Sequence, residues 1–163
     1  MELIRSEGLA MTSIIKLDIP GKPYAKSRPR TFMRGGRSIT VSTPKGKQKD
    51  YQNNIISHAD EAYYKIRLNR PEWLSGPIGM EAYFFFKADG KKHKIGDMHT
   101  YRPDWDNLVK QKDAIYKSKL MDSDDCQIVY ECGAKLYGAK DRTIFILRPI
   151  AYYKEIISMI NLL

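Results

Sequence analysis

Residues 78–87 read Ile-Gly-Met-Glu-Ala-Tyr-Phe-Phe-Phe-Lys, a stretch rich in aromatic side chains. Aromatic residues favour extended backbone because their side chains pack well on a pleated, half-buried surface. Pro71, Gly76 and Pro77 interrupt any regular element just before this stretch. We therefore predict a largely buried strand over residues 78–87, and we place the other elements relative to it.

Further strands are predicted on both sides of this stretch. Before it, the apolar residues Ile15, Leu17 and Ile19 alternate with polar ones, and Pro20 ends the alternation. After it, two apolar runs are separated by a turn around Gly138. The predicted strands cover residues 13–19, 127–137 and 142–149, with a candidate short strand at residues 38–42.

Helices are predicted in three places. Thr43-Pro44 is a typical helix start, with a hydroxyl N-cap followed by proline at the first helical position. The helix that begins there would extend to about residue 67 with one apolar stripe, made of Tyr51, Ile55, Ile56, Ala59, Ala62 and Tyr63. A second helix is predicted over residues 104–119. A third is predicted over residues 151–163, where apolar residues recur at helical spacing.

The loops and the order of elements complete the fold prediction. Residues 21–36 form a basic loop without acidic residues, and residues 88–103 form a polar, basic loop. The order of strands and helices predicts an α+β fold, with helices packed on one face of a small mixed sheet. Residues 13–163 are expected to form a single domain, and residues 1–12 an N-terminal extension that is disordered or without a structural role.

The composition points to a polyanionic partner. The chain has 28 Lys and Arg against 19 Asp and Glu, a net charge of +9, and basic surfaces bind phosphate backbones by releasing counterions. No apolar run approaches the roughly 18 residues that a membrane span requires. Cys126 and Cys132 are too few for a disulfide scaffold and lack zinc-finger spacing. We therefore expect a cytoplasmic protein that does not associate with a membrane.

The segment 102–110, Arg-Pro-Asp-Trp-Asp-Asn-Leu-Val-Lys, concentrates charged groups at a predicted helix start. Pro103 disfavours helix in the residue before it, so that Asp104 falls at the cap or in the first turn. Asp106, Lys110 and Asp113 follow at i, i+4 and i+7, and they therefore share one helix face. This face places two carboxylates beside one ammonium group.

A second acidic group, made of Asp122, Asp124 and Asp125, precedes the strand predicted at residue 127. Acidic residues at a strand edge can meet a helix N-terminus, and Mg²⁺ prefers such hard oxygen ligands. In phosphodiester hydrolysis the metal activates water, and a nearby lysine stabilises the developing charge. The simpler interpretation is that these acids favour the helix dipole and that Asp106–Lys110 is a surface ion pair. Two such acidic groups in a strongly basic chain favour the metal-site hypothesis.

These motifs resemble the RusA family of Holliday-junction resolvases, specifically its phage and Gram-positive type. The resemblance lies in the run 103–110, in Asp113-Ala114 and in the Asp124-Asp125-Cys126-Gln127-Ile128 segment. The front of the chain is similar too, through Gly21-Lys22-Pro23, Lys26, Arg28-Pro29-Arg30 and Thr43-Pro44-Lys45. Together these segments cover most of the chain from about residue 14 to residue 147.

The resemblance implies a RusA-like fold and a Mg²⁺ site formed by Asp104, Asp106 and Asp125, with Lys110 as a catalytic lysine. It also implies a homodimer that makes paired cuts in a four-way junction and leaves 5′-phosphate and 3′-hydroxyl ends. Mn²⁺ is expected to substitute for Mg²⁺. Asp113 is an additional candidate in the site, and Asp124 is a rival to Asp125. A bacterial or phage-encoded protein of DNA recombination and repair is implied.

Two features depart from the family pattern. The loop over residues 88–102 is long and contains His93, Asp97 and His99; we expect both histidines to be loop residues rather than metal ligands. The spacing between Lys110 and Asp113, and again before Asp124, differs by one residue in compensating directions. The roles of Asp113 and Asp122 are therefore less firmly implied than those of the outer motif residues.

Several basic residues are candidate DNA contacts, since phosphate contacts position nucleic acid without reading bases. Arg28, Arg30 and Arg102 each lie in a motif beside a proline, and Lys22 and Lys26 belong to the same basic entry segment. A symmetric dimer would match the approximate two-fold symmetry of a four-way junction. Two elements are candidates for the dimer interface: the strand over residues 78–86 and the C-terminal helix.

Two other functions compete with a resolvase. A non-catalytic protein that binds branched DNA would keep the basic surface, but all four proposed catalytic residues are present. A phosphohydrolase acting on nucleotides would be expected to carry a glycine-rich phosphate loop, and no such pattern occurs in the sequence. The sequence therefore favours a magnesium-dependent, structure-selective DNA endonuclease that resolves Holliday junctions.

Overall fold

A four-stranded mixed sheet forms the centre of the protein. The computed structural model describes residues 14–27, 30–41, 46–121 and 125–150. The sheet order is β1-β6-β4-β5. The strands of this sheet are β1 (Ile15–Pro20), β4 (Ile78–Lys87), β5 (Ile128–Gly138) and β6 (Arg142–Pro149). All four agree with the strands predicted from the sequence to within two residues at either end.

The directions of the strands make the sheet mixed. β6 is antiparallel to both β1 and β4, whereas β4 and β5 are parallel. Gly133 allows a close approach of β4 and β5: its φ is 151°, and a Cβ there would lie 1.8 Å from the carbonyl oxygen of Ala82. Only glycine fits at this position without moving the backbone of the neighbouring strand.

Helix α1 (Lys47–Ile66) packs on one face of the sheet. It buries Tyr51, Ile55 and Ala59 toward the strands, and the Tyr51 hydroxyl hydrogen-bonds to the Thr143 hydroxyl of β6. Burial raises the pKa of Tyr51, so this phenol stays protonated. The same face of the sheet supplies the strand residues of the core, which are Ile15, Leu17, Ile19, Ile78, Met80, Ala82, Phe84, Phe86, Tyr137, Phe145 and Leu147.

The helix predicted over residues 104–119 is shorter and irregular. It consists of α2 (Trp105–Val109), a 3₁₀ turn (Lys110–Lys112) and α3 (Asp113–Tyr116). It ends early because the Ser118 hydroxyl donates to the Ile115 carbonyl while Asp60 accepts the Lys119 N–H at 2.7 Å. Such side-chain to backbone bonds replace the contacts that would have continued the helix. We call residues 105–116 the helical segment.

The predicted basic loop over residues 21–36 is wrong in its second half. Residues there form a hairpin of β2 (Arg30–Arg34) and β3 (Arg37–Val41), and β3 confirms the candidate strand at 38–42. α1 lies within the helix predicted over residues 43–67, but the predicted start is wrong, since α1 begins at Lys47 with Gly46 as its N-cap. Thr43 and Pro44 themselves lie outside the described residues. The same holds for the predicted extension over residues 1–12 and the predicted helix over residues 151–163.

No helix in the described part of the chain is long and apolar enough to cross a membrane. Cys126 and Cys132 are both free thiols.

Candidate active site

Asp104 and Asp106 lie where the helical segment begins. Asp104 is the N-cap of α2, with φ −68° and ψ 147°, and its carbonyl oxygen accepts the Leu108 N–H at 3.2 Å. Its carboxylate makes no capping hydrogen bond, and the residue is exposed. An aspartate at this position usually accepts a bond from a free backbone N–H. At Asp104 the carboxylate oxygens therefore remain available to bind another group.

Lys110 lies one turn beyond Asp106, and the two side chains form an ion pair. The Lys110 Nζ lies 3.2 Å from the Asp106 Oδ2, and the two side chains are 53% and 54% exposed. This confirms the i, i+4 contact predicted from the sequence. At such exposure an ion pair contributes little to stability. The Asp106–Lys110 pair is therefore not what holds this part of the fold together.

The opposite side of α2 fixes these groups to the sheet. Leu108 and Val109 are buried, and the Trp105 ring packs edge-on against Phe84 of β4, with ring centroids 5.7 Å apart. Because the apolar side of α2 is held in the core, its acidic side faces solvent. A large substrate can therefore reach both carboxylates and the ammonium group of Lys110.

Lys135 of β5 holds the chain just before Asp104. Its Nζ donates to the carbonyl oxygens of Tyr101 and Pro103, each at 2.8 Å. The bonds flank the Arg102–Pro103 peptide, which is cis. A charged donor that joins two carbonyls fixes the backbone more strongly than neutral hydrogen bonds do. Lys135 therefore sets the position from which Asp104 starts, a role that sequence reasoning missed.

Asp113 is matched by a cation from the front of the chain. Lys26 and Asp113 form a close ion pair, and the Lys26 N–H donates to the Asn107 carbonyl oxygen at 2.7 Å. The buried Gln111 amide adds a second tie by donating to the Tyr24 carbonyl oxygen at 2.7 Å. Asp113 is thus engaged in an ion pair that joins the segment before β2, through Lys26, to α3.

The helical segment runs antiparallel to β5. Near its start, Pro103 contacts Lys135, and near its middle, Lys112 forms a half-buried ion pair with Glu131. Moving forward along the helical segment therefore means moving backward along β5. The first residues of β5 lie toward α3 and not toward Asp104.

Asp125 begins a 3₁₀ turn (Asp125–Gln127) that leads directly into β5. Gln127 fixes this turn, because its buried side-chain amide donates to the carbonyl oxygen of Leu74 at 2.9 Å. The Asp125 backbone therefore lies toward the α3 end of the helical segment, away from Asp104 of the same chain. The side chain of Asp125, and Asp122 and Asp124 altogether, lie outside the described residues. Among the described residues no three His, Cys, Asp or Glu side chains form a metal-binding group.

The loop over residues 88–103 is anchored on β4 and β5 by stacked rings. His99 is buried and stacks on Phe86 with centroids 4.0 Å apart, while His93 stacks on Tyr137 at 4.2 Å with nearly parallel planes. Burial, with the nearby Lys135 charge, lowers the pKa of His99. Both histidines therefore have packing roles, in agreement with the expectation that they are loop residues.

Backbone hydrogen bonds attach the same loop to the outer edge of β5. The Tyr137 N–H donates to the Asp97 carbonyl oxygen at 2.8 Å, and the His99 N–H donates to the Lys135 carbonyl oxygen at 3.0 Å. These bonds cover an edge that would otherwise expose unpaired backbone groups. The loop thus covers the edge of β5 and carries the chain into Asp104.

The candidate DNA-binding cations are divided by the structure. Lys22 and Arg102 are exposed, whereas Lys26 is half-buried in its ion pair with Asp113. Arg28 lies outside the described residues, and Arg30 is the first residue of β2. Further exposed cations on the 88–103 loop are Lys91, Lys92 and Lys94.

Comparison with known proteins assigns the family. The family described as "Endodeoxyribonuclease RusA" matches residues 20–147, which include the start of α2 and the turn before β5. The chain belongs to the RusA family. The segment that matches the RusA family therefore includes both the acidic start of α2 and the basic residues Lys22 and Lys26.

A bacterial protein is similar to this RusA-family protein over most of its length. The chain is 28% identical over 149 residues to a protein of Bacillus subtilis (strain 168) named "Uncharacterized protein YqaN". The alignment covers 84% of this chain and 97% of the relative. The two proteins therefore correspond over nearly the full length of the relative.

Proposed function

We propose that this protein is a magnesium-dependent, structure-selective DNA endonuclease that resolves Holliday junctions by paired, symmetric cuts. One observation carries the proposal: within the segment that matches the RusA family, Asp104, Asp106 and Lys110 are grouped at an exposed helix start. Neither the capping of α2 nor the stability of the fold requires this grouping.

Asp104 and Asp106 are the proposed ligands of Mg²⁺ on the helical segment, and Asp125 is the proposed third ligand. Their carboxylates are the hard oxygen donors that Mg²⁺ selects. When bound, the metal would supply a water activated as the nucleophile and would neutralise charge on the scissile phosphate. Asp104 suits this role because its carboxylate does not cap the helix.

Lys110 is the proposed catalytic lysine. Asp106 holds its ammonium group at the site, 3.2 Å from the carboxylate oxygen. An ammonium group placed there can stabilise the negative charge that develops on the phosphate oxygens in the transition state. The Lys110 side chain also remains half exposed, so that a phosphate can approach it from solvent.

A homodimer is the proposed active form, since matched cuts on opposite strands require two sites. The antiparallel arrangement of β5 and the helical segment directs Asp125 away from Asp104 within one chain. We therefore propose that Asp125 of one chain completes the metal site of the other. Asp113, paired with Lys26, would support the site by fixing the entry segment.

DNA would contact exposed basic residues of the segment before β2 and of the loop that leads into Asp104. Lys22 and Arg102 are exposed and suited to phosphate contacts. Arg28 and Arg30 are proposed as further phosphate contacts because they follow Lys22 in the same basic motif of the sequence. Lys26 is expected to contribute less than the others because Asp113 already neutralises it. Such contacts hold the junction in place independently of its base sequence.

The experiment that tests this function compares a four-way junction with linear duplexes of the same sequence. In Mg²⁺ we expect the protein to cut the junction in symmetric pairs and to leave the duplexes intact, and in Mn²⁺ we expect the same cuts. Equal cutting of duplex would contradict structure selectivity. Binding of the junction without any cutting would instead favour a non-catalytic DNA-binding protein.

A further inference from the structure

The hairpin of β2 and β3 is exposed between residues 31 and 40 on both of its strands. Every residue from 31 to 40 is exposed, and the two strands form a sheet separate from the central one. Apolar side chains are among them, with Phe32 48% and Met33 69% exposed. An isolated two-stranded hairpin is only marginally stable in water. The exposed apolar groups and this weak intrinsic stability indicate a surface that is completed by a partner.

The turn of the hairpin brings two arginines together. Gly35 and Gly36 both have positive φ, 57° and 73°, the pattern of a tight turn between two directly paired strands. Arg34 and Arg37 flank the turn and are paired across the strands. Their side chains consequently leave the same face of the hairpin, with Cβ atoms about 5 Å apart.

Two like charges directly opposite each other destabilise a hairpin. No acidic side chain in the described part of the chain forms a salt bridge with either arginine, and the sequence has no Asp or Glu between Asp18 and Asp50. An anion bound between the guanidinium groups would remove the repulsion. Guanidinium groups bind phosphate with two parallel hydrogen bonds, which makes a phosphate group well suited to this position.

The hairpin is attached close to the candidate active site. Lys26, four residues before β2, donates its backbone N–H to Asn107 of α2. At about 3.4 Å per residue, five-residue strands carry the tip roughly 15 Å beyond the base. The duplex rises about 3.4 Å per base pair, so the tip would reach DNA several base pairs from the scissile phosphate that is proposed to bind at Asp106.

We propose that the β2–β3 hairpin is a DNA-gripping arm, and that Arg34 and Arg37 at its tip bind a backbone phosphate of a duplex arm away from the cleavage site. This inference rests on the proposed function, because it takes junction DNA as the substrate. The charge of the arm favours DNA over a second copy of the chain, since two such arms would repel each other. Phe32 and Ile39, paired on the same face as the arginines, would pack against the sugars of the bound strand.

The test measures binding of a four-way junction in Ca²⁺ or EDTA, where no cutting occurs, over a series of salt concentrations. Arg34→Ala/Arg37→Ala should weaken binding about tenfold or more and should flatten the salt dependence by about 0.9 for each lost phosphate contact. In Mg²⁺ at saturating enzyme, its single-turnover rate should stay within about twofold of the parent, because the arm binds but does not catalyse.

Two control variants make the result specific. Arg34→Lys/Arg37→Lys keeps both charges and should keep the parental salt dependence with an intermediate affinity. Lys65→Ala/Arg67→Ala removes the same charge from the far end of α1, about 30 Å from its start, and should bind as the parent does.

The possible failures are distinguishable. If the parent cuts junctions but the double alanine variant binds them equally well, the arm is overturned and the proposed function stands. If the parent neither binds nor cuts junctions, the proposed function fails, and the arm fails with it. A double alanine variant that binds weakly because it has become monomeric would assign the hairpin to a contact between chains and would also overturn the proposal.

Discussion

Asp106–Lys110 and Glu61–Lys65 are both exposed i, i+4 ion pairs, which makes the second a natural control for the first. A purely structural role would make removal of either lysine equally harmless, since such pairs contribute only a few tenths of a kcal/mol. We predict that Lys110→Ala lowers the single-turnover rate of junction cutting by about 10²-fold or more, the loss typical of a group that stabilises transition-state charge. Junction affinity should change only a few-fold.

The matched Lys65→Ala variant should cut at the parental rate. Rapid-quench measurement of cutting, with binding measured separately, distinguishes the two lysines. A Lys110→Ala variant with a parental rate and greatly weakened binding would make this lysine a DNA anchor instead of a catalytic group.

Lys135 affects Asp104 indirectly, by holding the backbone that precedes it. We predict that Lys135→Met raises the Mg²⁺ concentration for half-maximal cutting several-fold, because the unrestrained Tyr101–Pro103 segment no longer fixes Asp104. Lys135→Arg keeps a charged donor and should recover much of the metal affinity. Calorimetric titration with Mg²⁺ or Mn²⁺ reads this affinity without cutting. Equal metal affinity for the Met and parent proteins would show that Lys135 does not position the ligand.

The loop over residues 88–103 should make the stability of the protein sensitive to pH. His99 is held neutral by burial, with its pKa below the ordinary 6.5. The unfolded chain protonates first as the pH falls, so stability present above about pH 6.5 is lost as the pH falls toward and through the lowered pKa. We predict that the melting temperature of the parent falls over this range more than that of His99→Phe. If the melting temperatures of the two proteins fell equally over this pH range, the assignment of the pH dependence to His99 would be contradicted.

At the scale of elements, the strands of the central sheet were predictable from local sequence patterns. The β2 strand was not, because it depends on its pairing with β3. The strand Ile78–Lys87 was predictable residue by residue, because proline and glycine precede it and its apolar content is high. β2 was hidden because its arginines gave the stretch the composition of a basic loop. What forms it is the turn at Gly35 and Gly36 and its pairing with β3.

The candidate site shows the same division. The Asp106–Lys110 contact follows from helical spacing alone, so the sequence predicted it. The partner of Asp113 is Lys26, which is 87 residues away, and Lys135 is 32 residues from Pro103. Contacts over such distances depend on how the sheet is assembled, and no pattern within one segment of the chain reveals them. The position of Asp125 relative to Asp104 depends on β5 in the same way.

At the scale of the whole molecule, the proposed composite site can be tested by mixing variants. Asp106→Asn and Asp125→Asn should each be inactive alone. If Asp125 reaches the site of the other chain, a mixed dimer keeps one intact site, and mixing the two variants should restore single-strand nicking. If every site is built within one chain, the mixed dimer has none, and the mixture should stay inactive. Nicking of a junction labelled on one strand measures the difference.

The measurement that tests the central claim most directly uses a plasmid with an extruded cruciform, which presents one four-way junction. In Mg²⁺ the parent should convert it to linear product by two symmetric cuts, and Glu61→Gln should do the same. Asp106→Asn should bind the cruciform but leave it circular. An Asp106→Asn protein that produces linear plasmid at the parental rate would contradict the assignment of the active site.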